Sequence, residues 1–289
     1  MIDDNEKKES EKQMIENNIL ELYAQRIRRN TISEIYEAKS GHPGGSLSCV
    51  DILTELYFEQ MDIDKNNAGS IERDRFVLSK GHASAALYAT LAEKGLIDQE
   101  ELLSFRKLDS KLQGHPNMNY IDAIDMSTGS LGQGISCAVG MAITNKVDDN
   151  SHRIYVLLGD GECEEGEVWE ALMSAAYYKL DNLCAVLDYN HLQIDGNIKD
   201  VINPEPFKSK FEAFGWNVLE CDGHDFEALR NSFDLAKEIK GKPTIIIAHT
   251  IKGKGVSFME NRCEWHGMSL DKEQYTKAMI ELGGVHEWQ

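Results

Sequence analysis

A mostly parallel α/β sheet with helices on both faces is the fold class this sequence predicts, and three observations predict it. Between residues 154 and 249, short aliphatic runs alternate with helix-length amphipathic stretches, the pattern of successive β-α units. One of these runs, Ile154–Leu158, ends on Gly159-Asp160-Gly161, a tight turn of the kind that leads from a strand into a helix. Hydrophobic residues make up 42% of the 289 positions, enough to bury a full core, so we expect one domain over 19–289 behind a polar leader at 1–18.

Each element has its own signal. Ile15, Ile19, Leu22, Tyr23, Ile27 and Ile35 recur at three- and four-residue steps, predicting an amphipathic helix with Gly41 as its C-cap. Ser48 and Asp51 form a capping-box-like start for the apolar stretch Ile52–Phe58. Phe76-Val77-Leu78 reads as a short strand, and the Ala- and Leu-rich segment Ala83–Lys94 as a helix. A long polar passage, Asp109 to Asp125, then precedes Ser127–Gly134 and a helix near Ile135–Val147; loops of that length in compact domains usually serve function. Strands are expected at 154–158, 183–188, 216–220 and 244–249, and helices at 167–180, 207–214 and 226–240. Asp271–Leu282 reads as a terminal helix.

The formal charge of −19 and pI near 4.9 oppose binding to nucleic acid or anionic membranes, since no basic stripe is segregated. Six cysteines are widely spaced with no Cys-x-x-Cys, so neither a zinc site nor a disulfide framework is indicated. The charged N-terminus and short apolar runs give no export or membrane signal. A soluble protein of the reducing cytoplasm is the expectation.

The chemistry concentrates at two strand ends. Asp160 follows one run and Asn190 follows the next, Leu183–Leu187; in an open α/β sheet ligands bind in the crevice beyond the carboxyl ends of the strands. A carboxylate and an amide oxygen are hard donors suited to Mg²⁺, with Ca²⁺ or Mn²⁺ as alternatives, and flanking glycines let the backbone approach a phosphate. A helix starting near Gly166 would add an amide-rich N-terminus. Gly-Asp-Gly alone is an ordinary turn, but with Asn190 thirty positions on it reads as a metal-diphosphate cradle. Of nine histidines, four sit in turns beside glycine or proline: His42, His82, His115 and His266. One such residue is ordinarily a solvated surface group; four on separate loops suggest proton transfer and hydroxyl binding. His152, His191, His224, His249 and His286 receive no role.

Taken in order, Ser40-Gly41-His42-Pro43-Gly44, Leu78-Ser79-Lys80-Gly81-His82-Ala83, Gly114-His115-Pro116, Ser127–Gly134, Gly159–Gly161 and Trp265-His266-Gly267 resemble successive motifs of the transketolase family, from about Ile19 to Leu270. The Asp160/Asn190 spacing resembles the thiamine-diphosphate signature, with Tyr189-Asn190 where that family usually has Asn-Asn. The resemblance implies a thiamine-diphosphate-binding fold in which Asp160, Asn190 and the carbonyl of Leu192 hold the metal. Gly161, Asn190 and Lys252 would lie on the diphosphate; a solvated basic turn is the equal alternative for Lys252. His82 and His266 would touch the cofactor, Gly129-Ser130-Leu131 would line its aminopyrimidine, and Ile194 would pack beside the thiazolium. His42, His115 and His266 would act in catalysis, and Glu165 and Glu170 resemble acidic residues of the family's dimer interface.

Typical transketolases are more than twice as long, and the resemblance ends with the diphosphate-binding half. It therefore implies the N-terminal subunit of a split transketolase, moving a two-carbon ketol group from a ketose phosphate to an aldose phosphate. A separate C-terminal, pyrimidine-binding subunit would complete it, as a heterotetramer. The pentose phosphate pathway and a more specialised ketose-phosphate pathway are equally compatible. Rival readings are a deoxyxylulose-phosphate synthase-like fragment, a 2-oxo-acid dehydrogenase alpha chain, or a non-catalytic cofactor-binding partner; the intact Asp160, Asn190 and loop histidines weigh against the last.

Overall fold

The computed structural model describes residues 4–283. In chain order the elements are α1 (Asp4–Ala38), α2 (Pro43–Leu47), α3 (Val50–Glu55), β1 (Arg75–Leu78), α4 (Ser84–Glu93), α5 (Gln133–Val147), β2 (Ile154–Gly159), α6 (Gly166–Tyr177), β3 (Leu183–Tyr189), β4 (Leu192–Gln193), β5 (Gly196–Asn197), α7 (Ile198–Val201), α8 (Phe207–Ala213), β6 (Asn217–Asp222), α9 (Phe226–Glu238), β7 (Thr244–His249) and α10 (Lys272–Glu281). Five strands form one sheet in the order β1-β2-β3-β7-β6, every neighbouring pair parallel. β4 and β5 make a separate antiparallel hairpin.

Alternation along the strands divides the core into two. Phe76, Leu78, Tyr155, Leu157, Cys184, Val186 and Ile246 point to one side, against α1, α3, α4 and α9. Val77, Ile154, Val156, Leu158, Ala185, Leu187 and Ile245 point to the other, against α5, α6 and α8. Helices thus cover both faces, as expected for strands that are apolar at nearly every position. All C-terminal strand ends lie on one edge, and the β3–β7 pairing inserts the last strand between β3 and β6, the kind of edge at which α/β sheets bind ligands.

Three local expectations are corrected. α1 ends at Ala38, and Lys39, at φ +53°, takes the left-handed position assigned to Gly41; Gly41 instead lets Ile35 come close, since a Cβ there would stand 2.7 Å from Ile35 Cγ1. The inward stripe of α1 is Leu20, Ala24, Ile27, Thr31, Ile32 and Ile35, leaving Ile15, Ile19 and Leu22 exposed. Ser48 and Asp51 make no capping box: Cys49 precedes α3 without a side-chain cap, Ser48 Oγ donates to Asp188 (2.6 Å), and Asp51 pairs with Arg28 and His224. α1 begins at Asp4, within the polar leader. Among the described residues no helix is long and apolar enough to cross a membrane.

Candidate functional site

Asp160 directly follows β2, Asn190 directly follows β3, and those strands pair in register, Gly159 beside Asp188. Both residues are buried. The backbone N–H of His191 donates to Asp160 Oδ2 (2.5 Å) and that of Gly161 to Oδ1 (2.8 Å), drawing segment 190–192 against the Gly-Asp-Gly turn. Asn190 Oδ1 accepts from Leu192 N (3.2 Å), while its Nδ2 lies 3.4 Å from Asp188 Oδ2. Tyr189, at the position of the family's first asparagine, turns away: its ring packs on Phe207 and its hydroxyl bonds Glu205. The departure from the pattern leaves the Asn190 amide in place.

Three histidines converge from three loops. His42 precedes α2, His82 follows β1, and His266 lies in the turn Cys263–His266; their ring centroids are 5.1 to 5.5 Å apart. Burial first, and then nearby cations, hold His42 down to about 4 and His266 to about 3, and His82 is lowered for the same reasons. All three are neutral imidazoles at physiological pH, each able to accept at one nitrogen and donate from the other. His42 Nδ1 is buried with no partner among the described residues.

His115 stands apart from this triangle and is exposed. Its imidazole lies against Gly129, where a Cβ would sit 3.2 Å from the ring; Gly129, at φ +151°, also has a backbone that only glycine adopts readily. The segment 127–134 packs on the turn after β1: Thr128 Oγ1 donates to Leu78 O (2.7 Å), and a Cβ on Gly134 would stand 2.7 Å from Ser79 Cα. Ser130 is exposed and Leu131 half-buried at the rim. Ile194, in the β4–β5 turn, presents 65% of its surface.

Lys252 is not a solvated basic turn. It is 1% exposed, its Nζ donating to Leu192 O and meeting His266 Nδ1, both at 3.0 Å. Burial, then the Lys80 charge, bring it down to about 8. Glu165 and Glu170 are exposed. His224 donates from Nδ1 to Asp51 (2.6 Å) and accepts from Ile251 N (2.9 Å), a structural role. His286 lies outside the described residues.

Sequence reasoning missed two buried carboxylates. Asp188, fully buried, is ion-paired with Lys80 and also takes Ser48 and Thr250 hydroxyls. Glu162 accepts from Ser79 Oγ, Gly132 N and Gly159 N. The signal for Asp188 was a charged residue inside an otherwise apolar strand.

The residues present fit a divalent cation with a diphosphate. Asp160, Asn190 and the Leu192 carbonyl form an all-oxygen donor set with one carboxylate. Burial and the Asp188 charge push Asp160 up to about 7, the mark of a buried carboxylate short of positive charge. Among the described residues no cluster of three or more His, Cys, Asp or Glu competes as a metal site.

The model of the transketolase thiamine diphosphate binding domain matches residues 19–287. The chain belongs to the transketolase family. It is 46% identical over 263 residues to the 6-deoxy-6-sulfo-D-fructose transketolase subunit of Clostridium sp. (strain MSTE9), covering 91% of this chain and 96% of that one. Identity to an apulose-4-phosphate transketolase subunit of Phocaeicola vulgatus is 43%, over 91% and 93% of the two chains. The crystal structure of transketolase from Campylobacter jejuni superposes with a TM-score of 0.87 at 38% identity, over 92% of this chain but 43% of that one. The chain therefore spans less than half of the solved transketolase and nearly all of the two relatives named as subunits.

Proposed function

We propose that this chain is the N-terminal, diphosphate-binding subunit of a two-subunit transketolase that moves a two-carbon ketol group from a ketose phosphate to an aldose phosphate. One observation carries the reading: the Asp160–Asn190–Leu192 oxygens and the His42–His82–His266 triangle meet at one edge of the parallel sheet, bridged by Lys252. Asp160, Asn190 and the Leu192 carbonyl would hold Mg²⁺, with Ca²⁺ or Mn²⁺ as substitutes. Gly161, Asn190 and Lys252 would hold the diphosphate, with His82 and His266 against the cofactor and Gly129, Ser130, Leu131 and Ile194 around its rings. Bound thiamine diphosphate supplies the electron sink for cleaving and forming the ketol carbon–carbon bond.

The chain's own groups bind, orient and move protons. His42, a neutral imidazole, accepts a proton from a substrate hydroxyl. With Lys252 donating to Nδ1 of His266, the ring's hydrogen is placed on Nε2, ready to be donated to a developing oxyanion. His115, on the exposed side of the cleft, binds substrate hydroxyls.

A second subunit is supported by the length match to relatives named as subunits. We place a pyrimidine-binding chain opposite this cleft, in a heterotetramer of the cytoplasm. The relatives' names refer to a sulfonated ketose and to apulose 4-phosphate, which supports an anionic ketose donor outside or within the pentose phosphate pathway. The test is to purify the chain with and without the candidate partner, assay ketol transfer, and measure mass by light scattering. Activity should require both; efficient transfer by the lone chain would overturn the two-subunit reading.

A further inference from the structure

Four segments carry the site: the start of α2 with His42, the turn after β1 with His82, the end of β3 with Asn190, and the segment after β7 with Lys252. Each is tied to one carboxylate. Ser48, just after α2, donates to Asp188 Oδ2 (2.6 Å). Lys80, two residues before His82, pairs with Asp188 and also donates to Gly45 O (2.8 Å), within the His42 segment. Asn190 reaches the same Oδ2 through Nδ2 (3.4 Å). Thr250, two residues before Lys252, donates to Oδ1. The segments also lean on each other, with Gly253 N donating to Gly44 O (3.0 Å) and a Cβ on Gly45 meeting His82 Nε2 at 3.2 Å.

We infer that Asp188, with Lys80, is a positioning pair that fixes the mutual placement of His42, His82, Asn190 and Lys252. A fully buried ion pair contributes little net folding stability, because desolvation offsets its attraction, whereas its geometry is strict. The four donors to Asp188 arrive from four different segments, so loosening any one arm frees one segment while the others stay held. Asp188 has no exposed surface; it acts through the residues it aligns. The inference deepens the proposed function, yet the placement can be read without any ligand.

The experiment is hydrogen exchange on the full chain without ligand, followed peptide by peptide, for Thr250→Val, Thr250→Ser, Ser48→Ala and the double variant Lys80→Met/Asp188→Leu. The double variant removes both charges together, so no buried charge is left uncompensated. Thr250→Val should speed exchange of residues 250–254 about tenfold, the scale of one lost hydrogen bond to a charged group, and Thr250→Ser should restore it. Ser48→Ala should do the same for residues 44–49 alone. The double variant should loosen all four segments while α9 and β2 exchange as in the wild type. Wild-type exchange in the Thr250→Val and Ser48→Ala loops would overturn the inference, as would acceleration spread evenly through α9, since that reports global stability. Calorimetric titration of thiamine diphosphate with Mg²⁺ runs in parallel, and Thr250→Val should weaken binding about tenfold through misplaced Lys252, given a net effect of about one such bond. A wild-type chain that takes up no cofactor, even with the candidate partner, would remove the proposed function and leave the exchange result standing.

Discussion

Glu34→Met should stabilise the protein, and by more as pH rises. Glu34 lies on α1 with no exposed surface and neither carboxyl oxygen partnered. Burial alone raises its pKa well above 4.5, and burial, then the Glu34 charge, push the Tyr88 phenol up as well. A buried polar group left without a hydrogen bond costs about 1–3 kcal/mol. Ionisation adds to this in a known direction. Because the folded pKa lies above the unfolded one, the neutral carboxyl costs nothing further below pH 4.5, and stability is lost as pH rises from there towards the folded value. The slope in that window is about 1.4 kcal/mol per pH unit for a single proton held only in the folded state. For a chain of this length, at roughly 2 cal/mol/K of unfolding entropy per residue, 1 kcal/mol moves Tm by about 2 °C. The methionine variant should therefore melt higher by about 2–6 °C near pH 4.5, the gap widening by about 2–3 °C per pH unit. Thermal scans of both proteins at pH 5, 6, 7 and 8 measure it. A gap that stays flat with pH, or a variant less stable than the wild type, would refute the reasoning.

Asp160→Ala should abolish metal-dependent uptake of thiamine diphosphate, since it removes the one carboxylate of the donor set; calorimetry with Mg²⁺ and with EDTA checks this, and equal affinity in both would count against the site. His42→Ala and His266→Ala should each slow turnover of the two-subunit enzyme by roughly 10²-fold or more. Cofactor affinity should fall further for His266, which contacts Lys252, and near-normal steady-state rates would leave both without a catalytic role. Gly134→Ala should destabilise by about 1–3 kcal/mol, because its Cβ would collide with the Ser79 backbone. Gly140→Ala, also in α5 but with nothing within 4 Å, should stabilise by about 0.5–1 kcal/mol; urea midpoints that move alike in both would show that the contact with Ser79 is unimportant.

The central strands were legible because their burial is total, so Ile154–Gly159 and Leu183–Tyr189 stand out as apolar runs. Helix phase was less so: the inward stripe of α1 includes Ala24 and Thr31, whose small or polar side chains carry weak hydrophobic signal, while the more conspicuous Ile15, Ile19 and Leu22 face outward. Ser48 looked like a cap because local spacing allows one, yet its hydroxyl is taken by a carboxylate 140 residues away. The hairpin of β4 and β5 was invisible, each strand being two residues long. At the site, the histidines and the residues proposed as metal donors could be picked out from their motifs. Lys80 and Asp188 could not be paired, since nothing in a sequence joins a turn after β1 to the end of β3.

The charges of the site are out of balance in a way that points to its ligand. Lys80 and Asp188 satisfy each other and stay ionised, with Lys80 raised and Asp188 lowered by their pairing against the opposing effect of burial. Lys252 and Asp160 do not: burial and the nearby Lys80 charge bring the ammonium down to about 8, while burial and the Asp188 charge bring the carboxyl up to about 7. Each moves towards its neutral form chiefly because burial penalises the charged one, with a neighbouring charge of its own sign adding to the shift. A divalent cation on Asp160 would restore the carboxylate, and an anion beside Lys252 would restore the ammonium. A single ion of either sign would correct one and worsen the other. A metal and a diphosphate bound together would correct both, which supports the joint ligand of the proposed function over either component alone.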